Sequence, residues 1–390
     1  MTHYQRVGDV PRKRHTMHRD GDGNRLAEEL MGEEGFSAAS SLLYHRHSPS
    51  AITAISPASI TRSPLHPNEP LTPWHLRAPQ LPPGGDLVTA RHVLAATSTL
   101  TLCWVSAERT SPLYRDATGD ELVYVQTGTG RLETSFGPLE VGPGDYLLVP
   151  AATTHRWVVE DGGVLEALVL EAAGHVGVPE RYLTSTGQLR EGAPFCERDL
   201  RVPAEPLLVE ATDVEVLVRS RAGWSWHTHA HHPFDVVGWD GCLYPYAFNI
   251  ADFEPITGRI HQPPPAHQVF AGTGFVICNF VPRKVDYHPL AVPVPYYHSN
   301  VDSDEVMFYC GGDYEARKGS GIGPGSISLH PGGHSHGPQP GAVERSLGAE
   351  SFDELAVMVD TFRPLELGEG GAACEDPAYP WSWSGRGPTR

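Results

Sequence analysis

The chain has 390 residues, with 29 lysines and arginines against 47 aspartates and glutamates, and a formal net charge of −18. This acidic balance disfavours nucleic acids and anionic membrane surfaces as partners, because both carry negative charge. No stretch approaches the roughly 18 consecutive apolar residues of a membrane-spanning helix, and the 41 glycines and 36 prolines indicate a globular, turn-rich protein dominated by β-structure.

Residues 1–90 are predicted to form an N-terminal arm and an extended segment. Asn24 is a candidate cap for a helix over residues 25–32, which Gly32 would end. The basic start of the chain is not followed by an apolar stretch, so it lacks the pattern of a secretory signal. The six cysteines are scattered and form no CxxC pair, which favours reduced thiols in a cytoplasmic protein.

From about residue 91, short apolar runs alternate with glycine turns, which is typical of β-sandwiches and barrels. This pattern predicts one barrel over residues 91–230 and a second over residues 231–368. A helix is expected around Ser351–Leu355. The tail, residues 369–390, is rich in Gly, Pro and Trp and is expected to be poorly ordered.

Two sequence blocks occur twice in the chain. Residues 114–128 resemble residues 298–312, and in both an Asp-Glu pair precedes an apolar strand. Residues 142–155 resemble residues 323–336, and both contain a glycine, a proline six residues later and a histidine five residues after that. These blocks resemble the two motifs of a cupin. The repeat therefore predicts an all-β fold of two tandem cupin-like (jelly-roll) β-barrels with a few short helices.

The C-terminal copy has the more complete set of candidate metal ligands. His298, Glu305 and His336 stand where a cupin projects ligands into its barrel. Two imidazoles and one carboxylate on one face of an octahedral ion form the facial triad of non-haem Fe(II) oxygenases, which leaves room for substrate and O₂. We therefore expect Fe(II) in the C-terminal barrel.

The N-terminal copy is expected to be structural. Tyr114 stands at the position of His298, whereas Glu121 and His155 are kept. The loss of one imidazole leaves a poor site for a divalent ion, so we expect a degenerate metal site in this barrel.

A further group of histidines lies in WHTHAHHPFD, residues 226–235. If this segment is a strand, His227 and His229 share one face of it, because side chains alternate along a strand. A direct metal role, a place at the rim of a pocket and a solvent-exposed loop all remain open for the group (His227, His229, His231 and His232).

Longer segments resemble homogentisate 1,2-dioxygenase. They are HPFDVVGWDGCLYPYAFNI (232–250), PYYHSNVDSDEVMF (295–308), GDYEARKGSGIGPGSISLHPGGHSHGP (312–338) and AVMVDTF (356–362). The resemblance implies an Fe(II)-dependent, extradiol-type ring-cleaving dioxygenase. Such an enzyme oxidises a small aromatic substrate, homogentisate, with O₂ to maleylacetoacetate in tyrosine and phenylalanine catabolism. It also implies a homo-oligomer, a trimer or a hexamer.

The resemblance also implies roles for individual residues. His261 matches an acid/base histidine next to a ring hydroxyl, with His267 as a competitor for that role. His330 matches a second histidine near the metal, of the kind that orients ligands. The residues that match the substrate pocket are Tyr296, Asn300, Tyr314 and His336. Apart from the resemblance, Arg317 and Lys318, which follow DYEA in the sequence, are candidates for binding the substrate carboxylate, and solvated side chains are the alternative.

The sequence departs from the family at the carboxylate ligand. The family places this glutamate six residues after the first histidine, a position that Asp304 occupies here, whereas Glu305 is the seventh. We choose Glu305 because the repeat aligns it with Glu121, and Asp304 is the alternative.

Three other functions remain open at this point. One is a cupin dioxygenase acting on gentisate, hydroquinone or a secondary-metabolite phenol. Another is a non-oxidative, metal-dependent cupin isomerase, and the third is a non-catalytic bicupin that binds a small ligand.

Overall fold

The computed structural model describes residues 3–384, and strands dominate it. The chain divides into two compact units, neither of which is a continuous segment. The first comprises Met1–Thr61, Pro83–Arg91 and Val105–Asn249, and the second comprises Arg62–Pro82, His92–Trp104 and Ile250–Arg390. The tandem all-β architecture predicted from the repeat is thereby confirmed, with stretches of the N-terminal 104 residues assigned to both units.

The first unit contains three groups of paired strands. A four-stranded sheet has the order Gln5–Gly8, Val236–Gly241, Ser40–His45 and Ala27–Gly32. A seven-stranded sheet has the order Gly137–Val141, Gly130–Thr134, His155–Val159, Leu113–Asp116, Val214–Ser220, Gly223–His229 and Ile52–Pro57. The third group has the order Leu200–Arg201, Tyr246–Asn249, Asp145–Val149, Glu121–Thr127 and Leu165–Ala172.

The second unit is built around one main sheet. Its strands have the order Gln268–Gly272, Phe275–Phe280, Glu354–Thr361, Asp304–Gly312, Ser326–His330 and Trp74–Arg77. Shorter pairings join His66–Pro67 to Glu366–Leu367, Glu366–Leu367 to His92–Ala96, and Arg283–Lys284 to Ser351–Phe352. The strand Leu100–Ala107 contains the boundary between the units. The α-helices within residues 3–384 are Ala342–Ser346 and Glu369–Ala373.

The repeat seen in the sequence is also a repeat of strand register. Glu121 pairs with Val149 in the first unit, and Glu305 pairs with His330 in the second. Tyr114 pairs with His155, as His298 pairs with His336. The two sequence blocks therefore fold into the same pairing.

Side chains along the central strands of the second unit point alternately into the hydrophobic core and toward a cavity. Val306 and Phe308 are buried in the core, whereas Glu305, Met307 and Tyr309 line a cavity. In the neighbouring strand Glu354–Thr361, Val357 and Val359 belong to the core in the same way. Each such side chain contributes about 1.5–3 kcal/mol by leaving water, so the core fixes which way Glu305 faces.

Two predicted helices are wrong. Residues 27–32 form a strand paired with Ser40–His45, and its partly buried and exposed residues alternate with a period of two. Residues 351–355 contain the strand Ser351–Phe352 and the start of Glu354–Thr361, and the nearby helix is Ala342–Ser346 instead. In both places strand pairing overrides local helix propensity.

The expectation of a poorly ordered tail is also wrong for the part that the structure describes. Residues 369–384 contain the helix Glu369–Ala373 and the 3₁₀ turn Tyr379–Trp381. Tyr379 is 1% exposed, which means that this segment is packed into the second unit. Residues 385–390 of the predicted tail lie outside the described residues.

Candidate metal centre

The three predicted metal ligands come together in the second unit. The Nε2 atom of His298 lies 3.1 Å from Oε2 of Glu305, and Nε2 of His336 lies 3.3 Å from Oε1. The ligand atoms of the three residues all lie within 4.8 Å of one another. Two backbone hydrogen bonds of 2.8 Å between His298 and His336 hold the histidines side by side. Gly337 must follow His336, because a Cβ atom at Gly337 would come within 2.8 Å of Tyr297 Cα.

The donor set fits a divalent transition-metal ion. The Nδ1 atom of His336 lies 2.9 Å from the backbone carbonyl of His334, which places the ring proton on Nδ1. Nε2 therefore carries a lone pair, yet it is buried and has no hydrogen-bond partner. An unpartnered imidazole nitrogen beside a buried carboxylate is the arrangement that a cation would complete.

Glu305, rather than Asp304, faces the histidines. Burial raises the pKa of Glu305, but hydrogen bonds with His298 and His330, together with the adjacent His336 imidazole, outweigh it and hold this pKa well below its usual range. The oxygens of Asp304 instead accept backbone N–H groups, Oδ1 from Gly332 and Oδ2 from Leu365, each at 2.7 Å. The geometry therefore favours Glu305 as the carboxylate ligand.

His330 connects the carboxylate to Tyr379. Nδ1 of His330 lies 3.1 Å from Oε1 of Glu305, and Nε2 lies 2.9 Å from the hydroxyl of Tyr379. Burial is the main cause that lowers the pKa of His330 to about 3, so its imidazole is neutral. A neutral ring donates from Nδ1 to Glu305 and accepts the Tyr379 hydroxyl proton at Nε2. Its ring also stacks on His336, with centroids 4.1 Å apart.

A cavity of about 250 Å³ opens beside these ligands. His298, Glu305, Tyr296, Asn300 and Tyr314 all line it. Further aromatic and apolar walls come from Phe280, Met307, Tyr309, Phe352 and Met358. The arrangement suits a flat, partly apolar molecule that has a polar end at the metal ligands.

His261 and His267, the two candidates for acid/base chemistry, differ in their surroundings. His261 is partly exposed in the cavity wall, and its Nδ1 lies 3.2 Å from Oδ2 of Asp286. His267 is buried against Phe280, and burial is the main cause that lowers its pKa to about 4. The position and the carboxylate partner favour His261.

The remaining predicted pocket residues have structural partners of their own. The Nδ2 atom of Asn300 donates to Oδ1 of Asp360 at 3.2 Å, and the hydroxyl of Tyr314 donates to the carbonyl of Leu355 at 3.2 Å. Tyr296 places its ring edge-on between His261 and His298, at centroid distances of 5.4 and 5.8 Å.

The two candidates for the substrate carboxylate are separated by burial. Arg317 lines the cavity, and its guanidinium donates to the Tyr309 hydroxyl and to the carbonyl of Gly337. Lys318 is 54% exposed and lies 3.5 Å from Asp313 and from Glu315. Arg317 is thus the one of the pair that faces the cavity.

Three residues near the ligands were missed by the sequence analysis. Asp360 pairs with Glu305 in strand register, and burial together with the charge of Glu305 raises its pKa to about 7. The sequence feature that could have indicated Asp360 is its position as the single acidic residue of the apolar segment AVMVDTF. Tyr379 and Trp383 pack on His330 from the tail, where no pattern marked them.

In the first unit, a guanidinium lies beside Glu121, the residue that the repeat aligns with Glu305. Nη1 of Arg91 contacts Oε1 of Glu121 and lies 2.8 Å from Oε1 of Glu171. Both glutamates are almost fully buried. His155 lies 3.6 Å from Glu121, and the ring of Tyr114 packs edge-on against it.

Within residues 3–384, the first unit also contains a group of possible cation ligands, Glu33, Asp120 and His175. The oxygens of Asp120 already accept backbone N–H groups from Ala151 and Val176, each at 2.8 Å. These bonds give the carboxylate a structural role in holding two loops.

The histidines of residues 226–235 also belong to the first unit. His227 and His229 end the strand Gly223–His229, and His231 stacks on His47 with centroids 3.9 Å apart. Within residues 3–384, their nitrogens do not join any group of three or more metal-ligand atoms. A pocket-rim role therefore describes them better than a metal role, as His229, His231 and His232 line a cavity.

Comparisons with known proteins cover most of the chain. Residues 86–250 match the family description "Homogentisate 1,2-dioxygenase N-terminal", and residues 255–386 match "Homogentisate 1,2-dioxygenase C-terminal". A protein of Saccharolobus solfataricus named "Putative dioxygenase" is 38% identical over 98% of this chain and 99% of its own length.

More distant relatives carry the name homogentisate 1,2-dioxygenase. The protein from Emericella nidulans is 29% identical over 67% of this chain and 56% of its own length. The protein from Bradyrhizobium diazoefficiens is 28% identical over 61% of this chain and 53% of its own length. The chain therefore spans about half the length of these two relatives.

Among solved structures, a cupin 2 conserved barrel domain protein from Leptotrichia buccalis covers 79% of this chain and 100% of its own, with 10% identity and a TM-score of 0.30. Within residues 3–384, none of the helices has the length and apolar character needed to cross a bilayer. On the two family matches, the chain belongs to the homogentisate 1,2-dioxygenase family of metal-dependent dioxygenases.

Proposed function

We propose that this protein oxidises homogentisate with O₂ to maleylacetoacetate, using Fe(II) held by His298, Glu305 and His336. The observation that carries the proposal is the unpartnered, buried Nε2 atom of His336 beside Glu305, which itself lines an aromatic-walled cavity. Fe(II) held by these two histidines and one carboxylate would supply the chemistry of O₂ activation and a path for electrons from the substrate ring to O₂.

His261 is proposed as the group that moves the phenolic proton. If its Nδ1–H is donated to Asp286, the Nε2 atom carries a lone pair that can accept a proton from a ring hydroxyl. Imidazole suits this step because one ring nitrogen can accept a proton while the other donates one. Asp286 then fixes the tautomer in the way that a carboxylate commonly orients a catalytic histidine.

The other cavity residues would bind and orient the substrate. Tyr296, lying between His261 and His298, offers an aromatic edge to the substrate ring, with Asn300 and Tyr314 on the neighbouring walls. His336 would contact the substrate as well as the metal. Arg317 provides the positive charge for the acidic side chain of the substrate, since it is buried and faces the cavity.

His330 and Tyr379 would keep Glu305 in position. His330, itself hydrogen-bonded to the Tyr379 hydroxyl, donates to one carboxylate oxygen of Glu305. This hydrogen bond would disfavour rotation of the carboxylate away from the metal site. In the first unit we propose that no metal binds, because Arg91 already neutralises Glu121 where the repeat would place an ion.

The test is oxygen uptake by the anaerobically Fe(II)-loaded protein with homogentisate, gentisate and hydroquinone as substrates. Uptake with homogentisate and formation of maleylacetoacetate support the proposal. Uptake with gentisate or hydroquinone alone would assign another ring-cleaving reaction to the site. Iron binding without any oxygen uptake would favour a non-oxidative isomerase, and failure to bind iron a non-catalytic ligand-binding protein.

We also propose a cytoplasmic enzyme that works as a trimer or hexamer. The scattered cysteine positions support the compartment, since they lack the paired spacing of a disulfide framework. Light scattering after size-exclusion chromatography measures the assembly directly, and a monomer would contradict this part of the proposal.

A further inference from the structure

A second, larger cavity lies in the first unit and has no part in the metal centre. Its volume is about 440 Å³, within the range of small-molecule sites. The walls come from the strand Ala27–Gly32, the segment after His45, Arg115 and the histidine group of residues 226–235. Arg115 follows Tyr114 on one strand, so its side chain points away from the cluster of Arg91 and Glu121.

Within residues 3–384, Arg115 has no carboxylate at ion-pair distance, and its hydrogen bonds go to a hydroxyl. Its Nε and Nη2 atoms both donate to the hydroxyl of Thr154, at 2.9 and 2.6 Å. Among the described residues, no carboxylate oxygen forms an ion pair with it. Burial lowers the pKa of Arg115, with only the charge of Glu29 opposing this effect. A guanidinium withdrawn from water without a counterion is costly to keep in a fold.

Glu29 and Asp235, two of the four carboxylates in the same walls, are engaged by one histidine. Oε2 of Glu29 lies 2.9 Å from Nε2 of His45, and Oδ1 of Asp235 lies 2.7 Å from Nδ1 of the same ring. The other oxygen of Asp235 accepts the backbone N–H of His47 at 2.8 Å. Both carboxylates are therefore paired with His45, and neither forms an ion pair with Arg115.

Two histidines beside Arg115 offer polar nitrogens to the cavity. His229 is 5% exposed, and its Nε2 atom is buried without a hydrogen-bond partner. Nδ1 of His232 accepts the backbone N–H of Phe234 at 3.0 Å, so its Nε2 carries the proton and can donate. Burial is the main cause that lowers the pKa of His229 to about 4, and Arg115 and His227 add to it.

A guanidinium beside neutral imidazoles favours an anion over a metal ion, because Arg115 would repel a cation. Bidentate pairing of a guanidinium with a carboxylate is strong and geometrically specific. A dianion such as phosphate would also meet Glu29 and Asp235, which favours a single negative charge. Leu30, Pro49 and Leu243 supply apolar surface for the rest of the molecule.

We propose that this cavity binds a small organic monocarboxylate, with its carboxylate group on Arg115 and a hydrogen bond to His229. This binding goes beyond the dioxygenase reaction and does not depend on it. The site is built from the histidine group that the metal centre leaves unused.

Titration calorimetry of the full-length protein tests the proposal, with benzoate and hexanoate as probes and benzamide and inorganic phosphate as comparisons. Both carboxylates are expected to bind, and benzamide and phosphate are not. Arg115→Met should weaken carboxylate binding at least tenfold, whereas Arg109→Met, at an exposed arginine of the same unit, should leave it unchanged. Repeating the titration with His336→Ala separates this cavity from the metal centre, because the binding should persist there.

Thermal unfolding provides the control for folding. Arg115→Met removes a charge that lacks a counterion, so the variant should melt at the same or a higher temperature. If it fails to fold, His229→Gln replaces it, with a severalfold loss of affinity expected. Absence of binding by both carboxylates, equal affinity in the variant used, or tighter binding of phosphate than benzoate would overturn the proposal.

Discussion

At Glu305 three imidazoles meet one carboxylate, and single substitutions distinguish what each contributes. His298→Ala or His336→Ala removes one of three ligands, so both iron content and oxygen uptake should be lost. His261→Ala leaves the three ligands intact, and iron should remain while turnover falls about 10²–10⁴-fold, the usual contribution of a positioned acid or base.

Iron content after anaerobic loading and oxygen uptake are measured for wild type and for each of the three variants. His66→Ala is the control, because His66 is exposed and lies in the same unit. Full activity with bound iron in any of the three variants would remove that residue from the proposed role.

The neighbouring acids Asp304 and Glu305 can be separated in the same way. Glu305→Gln should abolish iron binding, because an amide is a weak ligand for Fe(II) and the negative charge is lost. Asp304→Asn should keep iron but lower stability by about 1–3 kcal/mol, since Oδ1 and Oδ2 both accept backbone amides. Urea unfolding and iron content measure both effects, and the opposite pattern would make Asp304 the ligand.

Tyr379→Phe tests the hydrogen bond that reaches His330 from the C-terminal segment. The phenyl ring keeps the packing but cannot donate to Nε2 of His330. We expect a 10–100-fold loss in iron affinity or turnover, the usual cost of removing such a supporting group. Kinetics with saturating iron separates a loss of turnover from a loss of iron affinity. Tyr182→Phe in the first unit is the control. Unchanged affinity and turnover would limit Tyr379 to packing.

At the level of strands, the internal repeat made the site predictable. The matched spacing placed Glu305 with Glu121 and His336 with His155, and the observed register pairs these positions alike. Such a prediction works because alternation along a strand decides which face a side chain occupies. It could not reveal Asp360, whose place beside Glu305 depends on a strand that lies far away in the sequence.

The wrong helix at residues 25–32 shows the limit of local patterns. Glu28, Glu29, Leu30 and Met31 are good helix formers, and Asn24 is a plausible cap. The long-range partner Ser40–His45 satisfies the backbone instead, and Glu29 is then positioned to contact His45. Differences in helix propensity are worth only tenths of a kcal/mol per residue. Their sum over this short segment is smaller than the stabilisation from a full ladder of strand hydrogen bonds.

Arg91→Met tests the proposal that a guanidinium replaces the ion in the first unit. Without Arg91, the buried Glu121 and Glu171 keep like charges close together, and Arg219 remains as a cation beside Glu171. We expect a loss of about 3–5 kcal/mol in unfolding free energy, typical for breaking a buried pair. Denaturant unfolding measures it, with the exposed Arg109→Met as control. A loss below 1 kcal/mol would mean that the network is dispensable.

On the scale of the whole chain, each unit is assembled from three separate stretches of sequence. Residues 62–82 and 92–104 belong with residues 250–390, whereas residues 83–91 belong with the first unit. The composition of these short stretches is unremarkable, and only their strand partners decide the assignment. The same reason explains why the tail looked unstructured: Tyr379 and Trp383 are ordered by His330, which precedes them by about fifty residues.

The stability of the protein should fall at alkaline pH through His45. Burial opposes its charge, but hydrogen bonds and ion pairs with Asp235 and Glu29 outweigh burial and raise its pKa to about 9. The folded state therefore binds the proton more tightly than the unfolded state, whose histidine pKa is about 6.5. The resulting stabilisation, about 3 kcal/mol from a shift of this size, is complete below pH 6.5 and is lost as the pH rises through 9.

The growing net negative charge, −18 already at pH 7, acts in the same direction by self-repulsion. Calorimetric unfolding of wild type and His45→Gln between pH 6 and 10 separates the two effects. The variant should be less stable at pH 6, because two carboxylates lose their cation, and should show a flatter decline between pH 7 and 9.5. Parallel curves for the two proteins would assign the alkaline loss to net charge alone and exclude His45 as its cause.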